Sequence, residues 1–169
     1  GERHRTHLPV TWVLGSGDAD QEGTEIEALH EAGKFRSFML KFGRVSPEED
    51  IARFRTVAAR HAGRDIELRV DINQRWDLPT ARRFIPQLAE AGCRIVEQPL
   101  RGSDVAGMAE LARRENVLLV ADEPVETPQD MLRHVVERAC HGVSVKIAKH
   151  GSAGAAATVA HLAQSAGLH

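Results

Sequence analysis

Ile66-Glu67-Leu68-Arg69-Val70-Asp71 reads as a β-strand, and Pro79 to Ala91 reads as the helix that follows it, stopped by Gly92. The same unit recurs on both sides. Downstream, Cys93 to Gln98 is a strand ended by Pro99, and Ser103 to Glu115 is a helix. Val117 to Ala121 is a strand, and Thr127-Pro128 opens a helix running to about Cys140. Val143 to Ala148 is a strand, and Ala153 to Ala166 is a helix. Upstream, Phe38 to Phe42 is a strand closed by Gly43. Ser46-Pro47-Glu48-Glu49 then opens a helix, with Ser46 and Glu49 forming a capping box and Pro47 in the first turn. Ile51, Phe54, Val57 and Ala58 give that helix an apolar face. The first unit is Val10 to Leu14, then Gly15-Ser16-Gly17, then a helix over Asp20 to Ala32 stopped by Gly33.

Six strand–helix units in strict alternation predict an α/β fold with a parallel sheet and helices outside it. A (β/α) barrel and an open doubly wound sheet both satisfy that order. No Gly-x-Gly-x-x-Gly follows the first strand, which argues against a nucleotide-binding sheet.

Composition excludes several classes. The 169 residues suit one domain, 42% of them hydrophobic and 27% charged, with a formal net charge of −2. The arginines are spread among acids rather than gathered in a stripe, so nucleic acid is not an expected partner. No apolar run approaches the roughly 18 residues of a membrane span. Gly1-Glu2-Arg3-His4-Arg5 has no apolar stretch behind it that would make a secretory leader. Cys93 and Cys140 match no metal spacing and are expected as free core thiols in a reducing, cytoplasmic compartment. The nine histidines show no ligand spacing, and most are expected on surfaces.

The informative residues are the ionisable ones at strand ends. Lys41 ends the second strand, Asp71 the third, Glu97 the fourth and Asp122 the fifth, while Lys146 lies in the sixth between Val145 and Ile147. They follow one another at 30, 26, 25 and 24 residues, one unit each. In a parallel barrel this spacing sets all five at the C-terminal end of the strands, where barrel active sites lie. A lone buried acid more often bonds a backbone amide or an arginine, and a structural salt-bridge network is the competing account of the whole set. Three carboxylates in one place repel each other, however. A hard divalent cation, Mn²⁺ or Mg²⁺, relieves that repulsion and leaves positions open for a substrate. Lysines beside such a site can move protons when desolvation lowers their pKa.

These residues resemble the enolase superfamily in its muconate-lactonising subgroup. Asp71-Ile72-Asn73-Gln74-Arg75-Trp76 is similar to the subgroup's D-x-N-x-x-W segment, Val96-Glu97-Gln98-Pro99 to its [IV]-E-Q-P strand, and Ala121-Asp122-Glu123-Pro124 to A-D-E-[SP]. Val145-Lys146-Ile147-Ala148-Lys149 is similar to the segment with the catalytic lysine, which leaves Lys149 a structural role. Leu8-Pro9-Val10-Thr11-Trp12 with Gly17-Asp18, and Ala106-Gly107-Met108, point to the cycloisomerases within the subgroup.

The resemblance implies a metal held by Asp71, Glu97 and Asp122, acid–base work by Lys41 and Lys146, and supporting roles for Asn73 and Glu123. It implies a small dicarboxylic acid as substrate, cis,cis-muconate or a chloromuconate lactonised through a metal-stabilised enolate, and a homo-oligomeric parent. Related reactions stay open: o-succinylbenzoate synthesis, N-acylamino-acid racemisation, dipeptide epimerisation, or a non-catalytic barrel fragment. Two departures stand out. Met39 replaces the first lysine of the family's K-x-K strand, and Gly151-Ser152 replaces a glycine pair. Measured against the family, residues 1–169 are expected to form a partial barrel without the N-terminal capping domain and the last barrel strands.

Overall fold

The computed structural model describes residues 8–169. The opening Gly1 to Arg5 therefore lies outside the described residues. The strands are β1 (Thr11–Leu14), β2 (Ser37–Lys41), β3 (Glu67–Asp71), β4 (Ile95–Glu97), β5 (Leu118–Ala121) and β6 (Gly142–Val143). They form one all-parallel sheet in the order β1-β2-β3-β4-β5-β6. Sequential parallel order with a helix in every crossover is barrel topology; a doubly wound sheet would reverse its strand order partway.

The helices are α1 (Ala19–Glu31), α2 (Pro47–Arg60), α3 (Leu78–Glu90), α4 (Val105–Arg114), α5 (Pro128–Glu137), a one-turn α6 (Ile147–His150) and α7 (Ala153–Ser165). Local chemistry sets their starts. Ser46 and Glu49 form the expected capping box at α2, and Thr127 with Asp130 forms a second at α5. Asp18, Asp77, Asp104 and Ser152 cap α1, α3, α4 and α7 through their side chains.

Side chains alternate across the strands. Phe38, Leu40, Leu68, Val70, Val96 and Leu119 point outward and are buried against helices that contribute Ile26, Phe54, Val57, Ile85, Leu88 and Leu111. A smaller cluster of Ala121, Val125, Met131, Cys140, Val159 and Ala163 seats α5 and α7. The opposite set, with Met39, Lys41, Asp71 and Glu97, lines the inner face. Both cysteines are free and buried, as expected. No helix among the described residues is long and apolar enough to cross a membrane.

Two expectations need correction. The sixth strand is only Gly142–Val143, and Lys146 is not in it but stands at the N-cap of α6. A strand is defined by pairing: β5 offers partners only as far as Ala121↔Val143, and the chain then turns. The histidines are also less superficial than expected, since His61, His134 and His150 are buried. His134 and His150 are held by the backbone carbonyls of Asp130 and Glu126.

His61 has no partner for either ring nitrogen among the described residues. Burial lowers its pKa, Arg60, Arg64 and His30 act in the same direction, and Glu27 opposes them. The unfolded chain therefore binds this proton more readily than the folded one. The contribution of His61 to stability is complete above the ordinary value of 6.5 and is lost as pH falls through 6.5 towards the depressed native value. Urea midpoints taken from about pH 8 to about pH 5 should drop less steeply for His61→Leu than for the unaltered protein.

Candidate active site

The inner face carries one row of charge across its upper edge. Lys41, Asp71 and Glu97 are direct register partners on β2, β3 and β4. Asp122 follows the last residue of β5, where Glu97 pairs with Val120. The strand ends thus bring Lys41, Asp71, Glu97 and Asp122 to one rim, and the loop after β6 brings Lys146 to the same place. Asp71, Glu97 and Asp122 are all buried.

Each aspartate is turned onto a lysine. Lys41 Nζ donates to Asp71 Oδ2 at 2.5 Å. Lys146 Nζ donates to Asp122 Oδ2, and Lys149 Nζ to Asp122 Oδ1 at 2.9 Å. The lysines thus flank the row at its two ends. Among the described residues the Glu97 side chain, in the middle, pairs with no cation and accepts only from the Ser144 hydroxyl, at 3.1 Å. Burial first, then the charges of Asp71 and Asp122, push its carboxyl up to about 7. Burial works against ionisation of Asp122 too, but hydrogen bonds from Lys146 and Lys149 outweigh it and hold that carboxyl below its usual range. For Lys146, burial alone would lower the pKa, yet the hydrogen bond and charge of Asp122 raise it. At half-exposed Lys146 the ion pair with Asp122 outweighs desolvation.

The loops around the row hold unusual backbone. Asn73, Gln74 and Gln98 adopt φ of 49°, 64° and 33°, a region that costs non-glycine residues of order 1–3 kcal/mol each. Hydrogen bonds compensate. Asn73 N–H donates to Asp71 Oδ1, and its side-chain amide donates to Asp71 Oδ2 and Glu123 Oε1. Gln98 accepts from the Asp122 N–H and donates to the Leu100 carbonyl. Asn73 and Glu123 thus neighbour the carboxylates.

Two contributors escaped sequence reasoning: Gln98 and Ser144 each hold a carboxylate residue. Lys149, read from the sequence as structural, ties Asp122 to the Ser144 carbonyl through three hydrogen bonds. A polar residue at the end of an apolar strand was the only signal, and Gln98 had it. Met39 lies two residues before Lys41 on the same face, half-buried, where the family's lysine would stand.

The donor set suits a hard divalent ion. Three carboxylates share one rim, the central one lacks a cationic partner, and Glu123 Oε2 is buried without a hydrogen bond among the described residues. As the side chains stand, no three His, Cys, Asp or Glu groups among the described residues are close enough to grip an ion, because the aspartates face their lysines. An ion could be held by all three carboxylates only if those ion pairs loosened.

Comparison with known proteins bears on what this rim does. Residues 22–169 match the family model for the enolase C-terminal domain-like family. The chain is 38% identical to a chloromuconate cycloisomerase of Cupriavidus pinatubonensis, over 100% of this chain and 45% of that protein. It is 35% identical to muconate cycloisomerase 1 of Rhodococcus opacus, over 99% of this chain and 45% of that protein. It superposes on the muconate lactonizing enzyme from Pseudomonas putida with a TM-score of 0.96 at 32% identity, covering 99% of this chain and 46% of that one. The enzyme from Pseudomonas fluorescens complexed with muconolactone gives a TM-score of 0.96 at 32% identity, covering 99% and 45%. The chain spans a little under half the length of these relatives.

Proposed function

The chain belongs to the enolase C-terminal domain-like family, and on that premise we propose that it carries the metal-binding and acid–base rim of a cycloisomerase acting on cis,cis-muconate or a chloromuconate. The observation that carries this reading is the row itself: three buried carboxylates from β3, β4 and the end of β5, flanked by Lys41 and Lys146. Asp71, Glu97 and Asp122 would hold Mn²⁺ or Mg²⁺. When bound, the ion disperses negative charge gathering on a substrate carboxylate.

The remaining work falls to side chains. In lactonisation an oxygen of the distal carboxylate bonds to the far carbon of the double bond conjugated with the other carboxylate, and that bond's electrons move to the carbon next to that other carboxylate. Lys41 Nζ delivers the proton that this carbon takes up, and removes it in the reverse direction. Lys146, at the other end of the row, offers positive charge to the substrate from the opposite side. Asn73 orients Asp71 and Glu123 together through its amide. Met39 offers no charge for the second carboxylate, so recognition of that group falls outside β2. The two free buried thiols support a reducing, cytoplasmic setting.

The first test is calorimetric titration of the purified chain with Mn²⁺. Saturable binding of about one ion per chain, abolished in Asp122→Asn, is the expected result. Muconate turnover by the metal-loaded chain is the next measurement. Metal binding without turnover of muconate, chloromuconate or the substrates of the related racemases and epimerases would leave a non-catalytic barrel fragment. No binding at all would sink the metal-site reading.

A further inference from the structure

We propose that Arg53, on α2, is the positioning residue for Lys41: it grips the backbone carbonyl at the root of that lysine and so sets where the amine meets Asp71. The inference rests on reading Lys41 as the acid–base group.

The argument begins with a missing strand partner. β1 ends at Leu14, which pairs with Leu40, so β2 has no strand neighbour on that side at Lys41. Phe42 N–H donates to the Asp71 carbonyl, towards β3. Successive residues of a strand direct their backbone groups to opposite sides, so the Lys41 carbonyl points towards the exhausted β1 edge. A carbonyl left there without a donor would be costly.

Arg53 supplies the donor. Its Nη2 donates to the Lys41 carbonyl at 2.7 Å and to Asp50 Oδ1 at 3.0 Å. Its Nη1 donates to both oxygens of Glu22, at 2.8 and 2.9 Å. Asp50 Oδ2 in turn accepts from the Gly43 N–H at 2.7 Å, and the guanidinium carbon lies 5.3 Å from the Phe42 ring centroid. Residues 41, 42 and 43 are thus all held from α2. Glu22 also accepts from the Gly17 N–H at 3.1 Å, tying the loop after β1 into the same unit.

Burial shows that this is more than a tie between helices. Glu22 is 0% exposed, Asp50 1%, and the Arg53 side chain 9%. Apolar side chains would join α1 to α2 at no such desolvation cost. They would not hold a carbonyl and an amide on either side of Lys41. A lysine side chain has four rotatable bonds, so its amine is placed only as well as its root is. A displacement of about 1 Å at a reacting group can cost about 100-fold in rate.

The chain contains only the lysines Lys34, Lys41, Lys146 and Lys149, so reductive ¹³C-methylation yields a short, assignable spectrum, with Lys41→Arg identifying the Lys41 signal. In Arg53→Lys the charge beside Glu22 and Asp50 is kept, but one amine cannot reach both carboxylates and the carbonyl. The Lys41 signal is expected to move by more than a linewidth while those of Lys146 and Lys149 stay in place. A Lys41 signal unmoved in the folded variant overturns the proposal, and so does an equal displacement of all the lysine signals, which a merely structural role would produce. If Arg53→Lys does not fold, the unaltered protein decides. Slowly exchanging Arg53 Nη protons with a cross-peak to the Phe42 amide support the contact, and freely exchanging ones overturn it. Neither reading involves metal or substrate, so a negative result here leaves the metal titration to stand or fall alone.

Discussion

Arg53→Met should destabilise the folded chain by about 3–5 kcal/mol, the range for breaking a buried ion pair by removing one partner. The reason is asymmetric. The fold retains Glu22 and Asp50, both fully buried, and takes away the only guanidinium among the described residues that touches them. Each carboxylate keeps one backbone donor, Gly17 N–H for Glu22 and Gly43 N–H for Asp50, which does not offset a buried charge. The Lys41 carbonyl is orphaned as well. Urea denaturation is the measurement: the midpoint should fall markedly with little change in slope, since the same surface is exposed on unfolding. By contrast, removing Arg36, whose pair with Asp65 is exposed on both sides, should change the midpoint little. A loss below about 1 kcal/mol for Arg53→Met would mean that water reaches the network and screens it.

The second large effect has opposite signs in two measurements. Glu97→Gln is expected to weaken Mn²⁺ binding by more than about 100-fold, since even residues that merely support a metal ligand cost 10- to 100-fold when lost. The same change is expected to stabilise the metal-free chain by about 3 kcal/mol at neutral pH and above, a scale set by the rise of the Glu97 carboxyl from 4.5 to about 7 at about 1.4 kcal/mol for each pKa unit. Glu97 lies buried between Asp71 and Asp122, and among the described residues its carboxylate accepts only from the Ser144 hydroxyl. The amide removes the repulsion and still accepts from Ser144. Calorimetry reads the first effect and urea midpoints without metal read the second. A site kept for binding at the expense of stability shows both. If Glu97→Gln loses stability and leaves metal affinity intact, the row is a structural salt-bridge network.

Much of this was legible in the chain. The alternation of strand and helix, the stops at Gly33 and Gly92, and the Ser46–Glu49 box are local features, and each appears where its residues predict it. The ionisable strand ends were legible because a parallel sheet converts equal chain spacing into neighbourhood: Lys41↔Asp71 and Asp71↔Glu97 are register partners. The end of β6 was not legible. Val143 to Ala148 has strand composition, but composition does not reveal where the neighbouring strand stops pairing, and Lys146 therefore reaches the rim from a helix cap.

By itself, then, the sequence determined the order of the elements, the parallel α/β class they imply and the ionisable residues at the strand ends, because these follow from short-range periodicity and spacing; the strand order that makes the sheet a barrel rather than an open one came from the structure. Only the tertiary structure decided how those charges are partnered: both Lys146 and Lys149 turn to Asp122, Glu97 is left without a cation among the described residues, and Glu22, Asp50 and Arg53 sink between α1 and α2 to hold Lys41. Those three residues look like ordinary surface charges along two amphipathic helices. What buries them is the packing of helices whose contacting residues lie 31 positions apart, and pairwise burial across such a distance leaves no mark on either local sequence.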